Sequence, residues 1–153
     1  MVKNVEVLQK DFTQVEWEKM LSEINNRGVE FLNDNIYILP ETMSEKDILN
    51  EFAPDVRKVS TLNKVPCEIV YNKDNYSYLS LRDSDIVLPL IVSVTSGVIV
   101  EVLKYYIEKN KNNLNKKSLE VKLITKKEKA LNYKKIEIRG DADSVLEALD
   151  KFK

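Results

Sequence analysis

Residues 84–106 read SDIVLPLIVSVTSGVIVEVLKYY, and this stretch decides how the fold is built. Within it, residues 86–100 carry no charged side chain, although 32% of the whole chain is charged. As a helix, fifteen residues span about 22 Å, which is short of the roughly 30 Å hydrocarbon core of a membrane. We therefore predict a long apolar helix that is buried at the centre of the domain.

Two alternatives arise from the same run. Residues 86–106 could insert into a membrane, but Glu101 and Lys104 would then enter lipid, where a charge costs a few kcal/mol. The small residues Ser93, Ser96 and Gly97 permit close helix approach, so they are the candidate interface of a homo-oligomer. Burial within the domain is the preferred interpretation, and a membrane role is disfavoured.

Composition bounds the function more tightly than any motif does. The 153 residues suit a single domain, 1–153, with a helix and hairpin subregion (1–64) and a second subregion (65–153). Histidine is absent and there are only three glycines, which removes the usual general base, most zinc ligand sets and phosphate-binding glycine loops. No catalytic, cofactor or metal site is predicted, and the single cysteine, with no signal-like segment, favours the cytoplasm.

Capping patterns predict three helix starts. Thr13 with Glu16 forms a capping-box signature, and Ser44 with Asp47 repeats it for a second helix that would stop before Pro54. Asp141 or a neighbouring aspartate begins the last helix. The second helix is expected to be short.

Short apolar runs around polar turns predict hairpins. The pairs are residues 29–32 with 36–39, 67–71 with 76–81, and 119–123 with 136–138, and an alternating strand precedes the first helix. The expected fold is α+β, with antiparallel hairpins packed on the long central apolar helix plus shorter capped helices. Tyr76 and Tyr78 are interpreted as half-buried sheet residues.

Charge is unevenly distributed along the chain. Residues 101–140 hold twelve Lys or Arg and five Asp or Glu, whereas the whole chain has a net charge of −1. The last predicted hairpin concentrates five candidate phosphate-binding lysines: Lys126, Lys127, Lys129, Lys134 and Lys135. Our preferred interpretation is that these lysines keep the protein soluble or bind an acidic protein partner. Binding of nucleic-acid phosphates is the alternative.

Paired aspartates provide the weakest alternative, a carboxylate-only hydrolase. Asp83 and Asp85 precede an apolar segment, and Asp141 and Asp143 precede the last helix, where aspartate is favoured for capping alone.

Residues 76–153 also resemble a known family. The motifs YYIEK (105–109), LEVKLI (119–124), KKIEIRG (134–140) and DADSVLEALDKF (141–152) are similar to the effector-associated constant component domains of bacterial conflict systems. The resemblance implies a non-catalytic partner of an effector in anti-phage defence, and it transfers no functional residue. The predicted function is thus a non-catalytic intracellular interaction or accessory protein, which binds a protein such as a toxin or effector.

Overall fold

The computed structural model describes residues 5–43, 46–79, 85–114, 117–126 and 133–152. Its strands are β1 (Val5–Phe12), β2 (Ile36–Leu39), β3 (Asp47–Asn50), β4 (Cys67–Ile69), β5 (Tyr76–Leu79), β6 (Asp85–Ser93), β7 (Ser118–Lys126) and β8 (Tyr133–Gly140). Its helices are α1 (Gln14–Asn26), α2 (Ala53–Leu62), α3 (Ser96–Lys109), α4 (Lys111–Leu114) and α5 (Ala142–Leu149), followed by a 3₁₀ turn (Asp150–Phe152). The predicted α+β class is confirmed.

Six strands form a mixed sheet in the order β1-β8-β7-β6-β2-β4. The β6–β7 and β2–β4 pairs are parallel, and the other three pairs are antiparallel. Strands β3 and β5 form a separate parallel pair. Both subregions contribute strands to the large sheet, because β1 and β2 come from residues 1–64 and the other four from residues 65–153.

The apolar run is not one long central helix. Its first part is β6, at the centre of the large sheet, and the helix α3 begins only at Ser96. Both faces of β6 are covered, since Leu88 and Ile91 lie in one core and Val92 lies in the other. A strand buried on both faces reads as a continuous apolar run, so the absence of alternation made it look helical.

Pro89 marks the irregular point of β6. The pairing of β6 with β7 shifts register between Val87 and Leu90, and Pro89 lies in this bulge. Proline has no N–H to donate to a ladder, so in a central strand it is tolerated only at such an irregularity. Its position therefore fits a bulged strand, not the first turn of a helix.

Helices cover the two faces of the large sheet unequally. Helices α2, α3 and α5 pack on one face, where Val56, Leu103 and Val145 are fully buried. Helix α1 packs on the other face through Trp17, whose indole stacks on the Tyr133 ring at 3.8 Å between centroids. The rest of that second face, here called the open face, carries charged residues of β1, β7 and β8.

Three further predictions are wrong. Ser44 lies outside the described residues, but the helix assigned after it is replaced by β3, and Pro54 lies in the first turn of α2 instead of after a helix. Proline is well suited to that position because its missing N–H would have no partner there. Residues 29–32 form no strand, so the first predicted hairpin is absent. In the second predicted hairpin the two strands do not pair with each other, because β4 pairs with β2 and β5 pairs with β3.

The last hairpin and the first and last helix starts are confirmed. Strands β7 and β8 are antiparallel over eight residue pairs, and β1 extends that sheet along β8. The Thr13 Oγ1 accepts a hydrogen bond from the Glu16 N–H at 3.1 Å, while the Glu16 Oε1 accepts from the Thr13 N–H at 3.2 Å. Asp141 caps α5 by accepting from the Ser144 N–H at 2.9 Å.

None of the helices in the described ranges is long and apolar enough to cross a membrane.

The two threonine N-caps allow a matched stability test. Thr13→Ala removes the cap bond of α1 and should lower the free energy of unfolding by about 1 kcal/mol. Thr95 stands at the same position before α3 but makes no side-chain cap bond, so Thr95→Ala should cost clearly less. Urea unfolding of both variants measures the difference, and equal losses would contradict the capping geometry.

Candidate protein-interaction surface

As the described residues form it, the small sheet has one edge without a neighbouring strand. Strand β3 is bridged on one side to Thr42 through Ile48 and pairs on its other side with β5. Within the described part of the chain, nothing pairs with the outer edge of β5. The backbone N–H and C=O groups along that edge are therefore available to a partner strand.

Strand β5 also exposes large side chains. The exposed fractions of Tyr76, Tyr78 and Leu79 are 43%, 52% and 38%. The Tyr76 ring lies edge-on to Tyr71 at 4.9 Å and to Tyr78 at 6.2 Å, so three aromatic rings form one cluster, here called the tyrosine cluster. With about half of each side chain exposed, Tyr76 and Tyr78 agree with the half-buried sheet positions predicted for them.

A buried ion pair anchors the chain beside this strand. Asp47, the first residue of β3, has a fully buried side chain, and the Arg27 guanidinium contacts both of its oxygens through Nε at 2.6 Å and Nη2 at 2.8 Å. The Arg27 Nη1 donates to the backbone oxygen and to the carboxylate of Glu23, both at 2.9 Å. The end of α1 is therefore tied to the start of β3.

The same carboxylate holds the turn that leads into β5. The Asn72 N–H donates to the Asp47 Oδ2 at 2.7 Å, and the Asp47 N–H donates to the Asn75 carbonyl at 3.1 Å. Within the turn, the Asn72 Oδ1 accepts from the Asp74 N–H at 3.0 Å. Asp47 thus fixes the position from which the tyrosine cluster projects.

Hydrogen bonding to Arg27 keeps Asp47 charged. These bonds, together with the Asn72 N–H, hold the pKa of the Asp47 carboxyl below its usual range, although burial acts in the opposite direction. The pKa of Arg27 is raised, first by its hydrogen bonds to Asp47. A bidentate pair whose remaining polar atoms are bonded can be kept in a buried position.

A shallow cleft of about 720 Å³ lies next to the ion pair. Its walls come from the end of α1 and from the turn before β5, with lining residues Asn26, Arg27, Gly28, Asn72, Lys73 and Asp74. Gly28 has a φ of 78°, a left-handed conformation that glycine adopts without strain. The cleft is polar, and Lys73 and Asp74 are exposed at its rim.

A second polar network joins β3 to the large sheet. The buried Asn50 side chain donates to the Glu41 Oε1 at 2.7 Å and to the Val87 carbonyl at 2.8 Å, next to the bulge in β6. Glu41 in turn accepts from the Lys122 Nζ at 3.2 Å. The small sheet is therefore attached to the large one through satisfied buried polar groups.

The three residues of the predicted oligomer interface do not share a helix face. Ser93 is fully buried at the end of β6, where its Oγ accepts from the Thr95 N–H at 3.3 Å. Ser96 and Gly97 are half-buried in the first turn of α3. The predicted interface requires all three residues on one continuous helix, and the structure does not place them on one.

The predicted lysine cluster is only partly described. Lys127 and Lys129 lie outside the described residues, while Lys126 ends β7 and pairs in register with Tyr133. Lys134 and Lys135 are consecutive in β8, so their side chains point to opposite faces of the sheet. The Lys135 Nζ lies 3.6 Å from the Glu137 carboxylate on the open face, and the Lys134 Nζ lies 5.9 Å from the Phe152 ring centroid.

The acidic pairs do not form a shared site where they are described. Asp83 lies outside the described residues, whereas Asp141 caps α5 and the Asp143 carboxylate is 2.7 Å from the Lys111 Nζ. Across the described ranges, no group of three or more Cys, Asp or Glu side chains is placed to hold a metal ion. Burial raises the pKa of the Cys67 thiol to about 12, so this thiol is protonated near neutral pH.

Comparisons with known proteins give no further assignment: no family, no curated protein and no solved structure matches the chain. The resemblance to effector-associated constant component domains stays a prediction from the sequence.

Because of the Asp47–Arg27 pair, we predict that the free energy of unfolding differs between the wild type and Asp47→Asn, and that this difference depends on pH. At pH 7 the variant leaves Arg27 without its main partner and should lose about 3–5 kcal/mol of unfolding free energy. Because the pKa of Asp47 is lowered by folding, its contribution is present above the unfolded value of about 3.9 and is lost as the pH falls below it.

Denaturant unfolding of both proteins between neutral and acidic pH measures this difference. We expect this difference in unfolding free energy to narrow below about pH 4. The pKa of Asp141 is also lowered, but Asp141 is present in both proteins, so its contribution cancels in the difference. A difference that is the same at every pH would contradict the role of the Asp47 charge.

Proposed function

We propose that this protein is a non-catalytic interaction protein whose β5 edge and tyrosine cluster bind an extended segment of a protein partner. The observation that carries the proposal is that β5, which has no neighbour on its outer edge among the described residues, exposes aromatic side chains and follows a turn bonded to Asp47. Extended peptides commonly bind by adding a strand to such an edge.

The parallel geometry of the small sheet supports this proposal. Parallel strands are normally covered on both faces, and a two-stranded sheet is marginal without further packing. Strand β5 departs from this rule, because three of its four residues are exposed. An added strand would bring the small sheet to three strands and would cover apolar surface that is now in contact with water.

The side chains that would meet the partner are of the type that dominates binding energy. Tyrosine is enriched at interface hot spots because it buries a large ring and keeps a hydroxyl for hydrogen bonding. Tyr76 and Tyr78 are two residues apart on one face of β5, so a partner strand would contact them through every second side chain. We infer that this partner segment carries apolar residues at alternate positions.

Anchoring by Asp47 supports binding without a large reorganisation. The turn before β5 is held by the Asn72 and Asn75 backbone bonds to Asp47, and β3 is held by the Asn50 network. A strand that is already ordered loses less conformational entropy on binding than a flexible loop does.

The sequence resemblance would make the partner an effector of a defence or toxin system, and this part of the proposal depends on the resemblance alone. The nucleic-acid alternative stays a prediction as well. Among the described lysines, Lys134 and Lys135 point to opposite faces of β8, so they do not form one phosphate-binding surface. We therefore favour the protein partner.

Selection from a library of random linear peptides tests the proposal. We expect the selected peptides to share alternating apolar residues and to protect β5 amides from hydrogen exchange. Tyr76→Ser combined with Tyr78→Ser should weaken peptide binding by more than about tenfold, because both rings are lost from the contact. Fluorescence anisotropy with labelled peptides measures this change.

Tyr105 provides the matched control. It is 44% exposed on α3, away from the small sheet, so Tyr105→Ser removes a ring of equal exposure and should leave peptide binding unchanged. The proposal fails if no peptide is selected, or if the double variant binds the selected peptides as well as the wild type does.

A further inference from the structure

Among the strands that the structure describes, the two at the edges of the large sheet are built differently. Strand β4 forms one edge and has only three residues, with Pro66 directly before it, which are common means of preventing edge pairing. Strand β1 forms the other edge and has eight residues, paired with β8 without a register shift. It contains no proline, and residues 6–11 are all exposed.

Strand β1 exposes apolar residues on both faces of the sheet. The exposed fractions of Val7 and Leu8 are 46% and 47%, and their side chains point to opposite faces because they are consecutive. A neighbouring strand would therefore cover apolar surface both on the open face and on the opposite face, which α2, α3 and α5 cover and which is here called the helical face. A long and partly apolar edge is a ready site for strand pairing.

Symmetry restricts how β1 could pair with a second copy of itself. An antiparallel edge-to-edge pair has its twofold axis perpendicular to the sheet, so side chains stay on their own face and one residue must oppose its own copy. The register is then set by a single choice, the residue on the axis. A register centred on Val7 sets the charged Glu6 opposite the apolar Leu8, and one centred on Gln9 sets Glu6 opposite the apolar Phe12.

Among the residues of β1, only the register centred on Leu8 sets Glu6 opposite Lys10, while Asp11 then lies opposite Val5. This register sets Leu8 opposite Leu8, and Glu6 opposite Lys10 on both sides of the axis. All three side chains point to the open face, because they alternate along the strand with residues of the helical face. In this register residues 5–11 each find an opposing residue.

The β1–β8 pairing gives an independent reason for an incoming carboxylate. Lys10 directly opposes Lys135 across the two strands, and Glu6 opposes Arg139. Like charges directly opposite each other destabilise a sheet, and no carboxylate lies directly opposite Lys10 on its inner side, where the nearest one is the diagonal Glu137. A Glu6 side chain from a second copy would supply one on the outer side.

From the open edge and this charge pattern, we propose that two copies of the chain pair antiparallel through β1, with Leu8 on the twofold axis. The pairing joins two six-stranded sheets into one of twelve strands and matches Glu6 with Lys10 twice. It does not involve Ser93, Ser96 or Gly97, and it leaves the β5 edge free.

Charge reversal at Lys10 tests the proposal without harming the chain itself. Lys10→Glu replaces the Lys10–Lys135 repulsion with an attraction, so unfolding stability should be kept or increased. Across the axis it sets two glutamates opposite each other twice, so the dimer dissociation constant should rise about tenfold or more. Analytical ultracentrifugation over a concentration series measures it.

The reverse change completes the cycle. Glu6→Lys should weaken the dimer in the same way, and the double variant Glu6→Lys with Lys10→Glu should restore it, because the exchanged charges again match in the Leu8-centred register. Lys58→Glu, an equal charge reversal at an exposed site on α2, should leave association unchanged.

Cysteine cross-linking tests the register. Leu8→Cys should give a disulfide-linked dimer under mild oxidation, because directly opposed residues bring their Cβ atoms to about 5 Å. Glu6→Cys alone should not cross-link, but mixed with the Lys10→Cys variant it should. The parent chain holds only Cys67, in β4 at the opposite edge, and is the matched control.

The outcomes separate clearly. A chain that is monomeric at every concentration, or a dimer that tolerates Lys10→Glu, overturns the proposal. A dimer that is lost on Gly97→Leu but not on Lys10→Glu assigns association to α3 instead. Peptide binding at β5 is expected to persist in all the β1 variants, so failure here is distinguishable from failure of the proposed function.

Discussion

Burial of β6 on both faces is the constraint on which the rest of the structure depends. Its residues supply apolar side chains to the core under α2, α3 and α5 and to the core under α1, as do those of its neighbours β2 and β7, so the strand lies between the two layers of helices. The strand pairs in parallel with β7, which needs a crossover connection, and α3 provides it. The charged and polar parts of the chain are arranged around this centre, and Asn50 attaches the small sheet to the Val87 carbonyl of the same strand.

The exposed strands β1 and β5 lie at the edges of the two sheets that are arranged around β6. A central strand that is fully paired leaves the unpaired backbone groups at the sheet edges, and the chain treats its edges differently. The three-residue β4 follows a proline, whereas β1 and β5 combine open edges with exposed apolar or aromatic side chains. We therefore propose that β1 and β5 bind partners, whereas the sequence alone predicts an interface at Ser93, Ser96 and Gly97.

Much of the fold could be predicted because some signals are local. The capping box at Thr13, the Asp141 cap and the alternation in β7 and β8 depend on residues close in sequence, and all are confirmed. The apolar run was misassigned because a short run buried on all sides fits both a helix and a central strand. Its β-branched residues and Pro89 were the signals for a bulged strand. The parallel pairing of β5 with β3 could not be predicted, since the partners lie about thirty residues apart and no local pattern encodes the pairing. For the same reason, the sequence predicts Asp47 as the acidic partner in a capping box at Ser44 and does not indicate its buried ion pair with Arg27.

Amide hydrogen exchange, resolved by residue in the isolated chain, tests the central claim most directly. The account predicts that the amides of β6 exchange only through global unfolding, with protection equal to the full free energy of unfolding, while those of β5 exchange through smaller local openings. Exchange of the β6 amides as fast as that of the β5 amides would contradict the claim that this strand is the paired and buried centre of the protein.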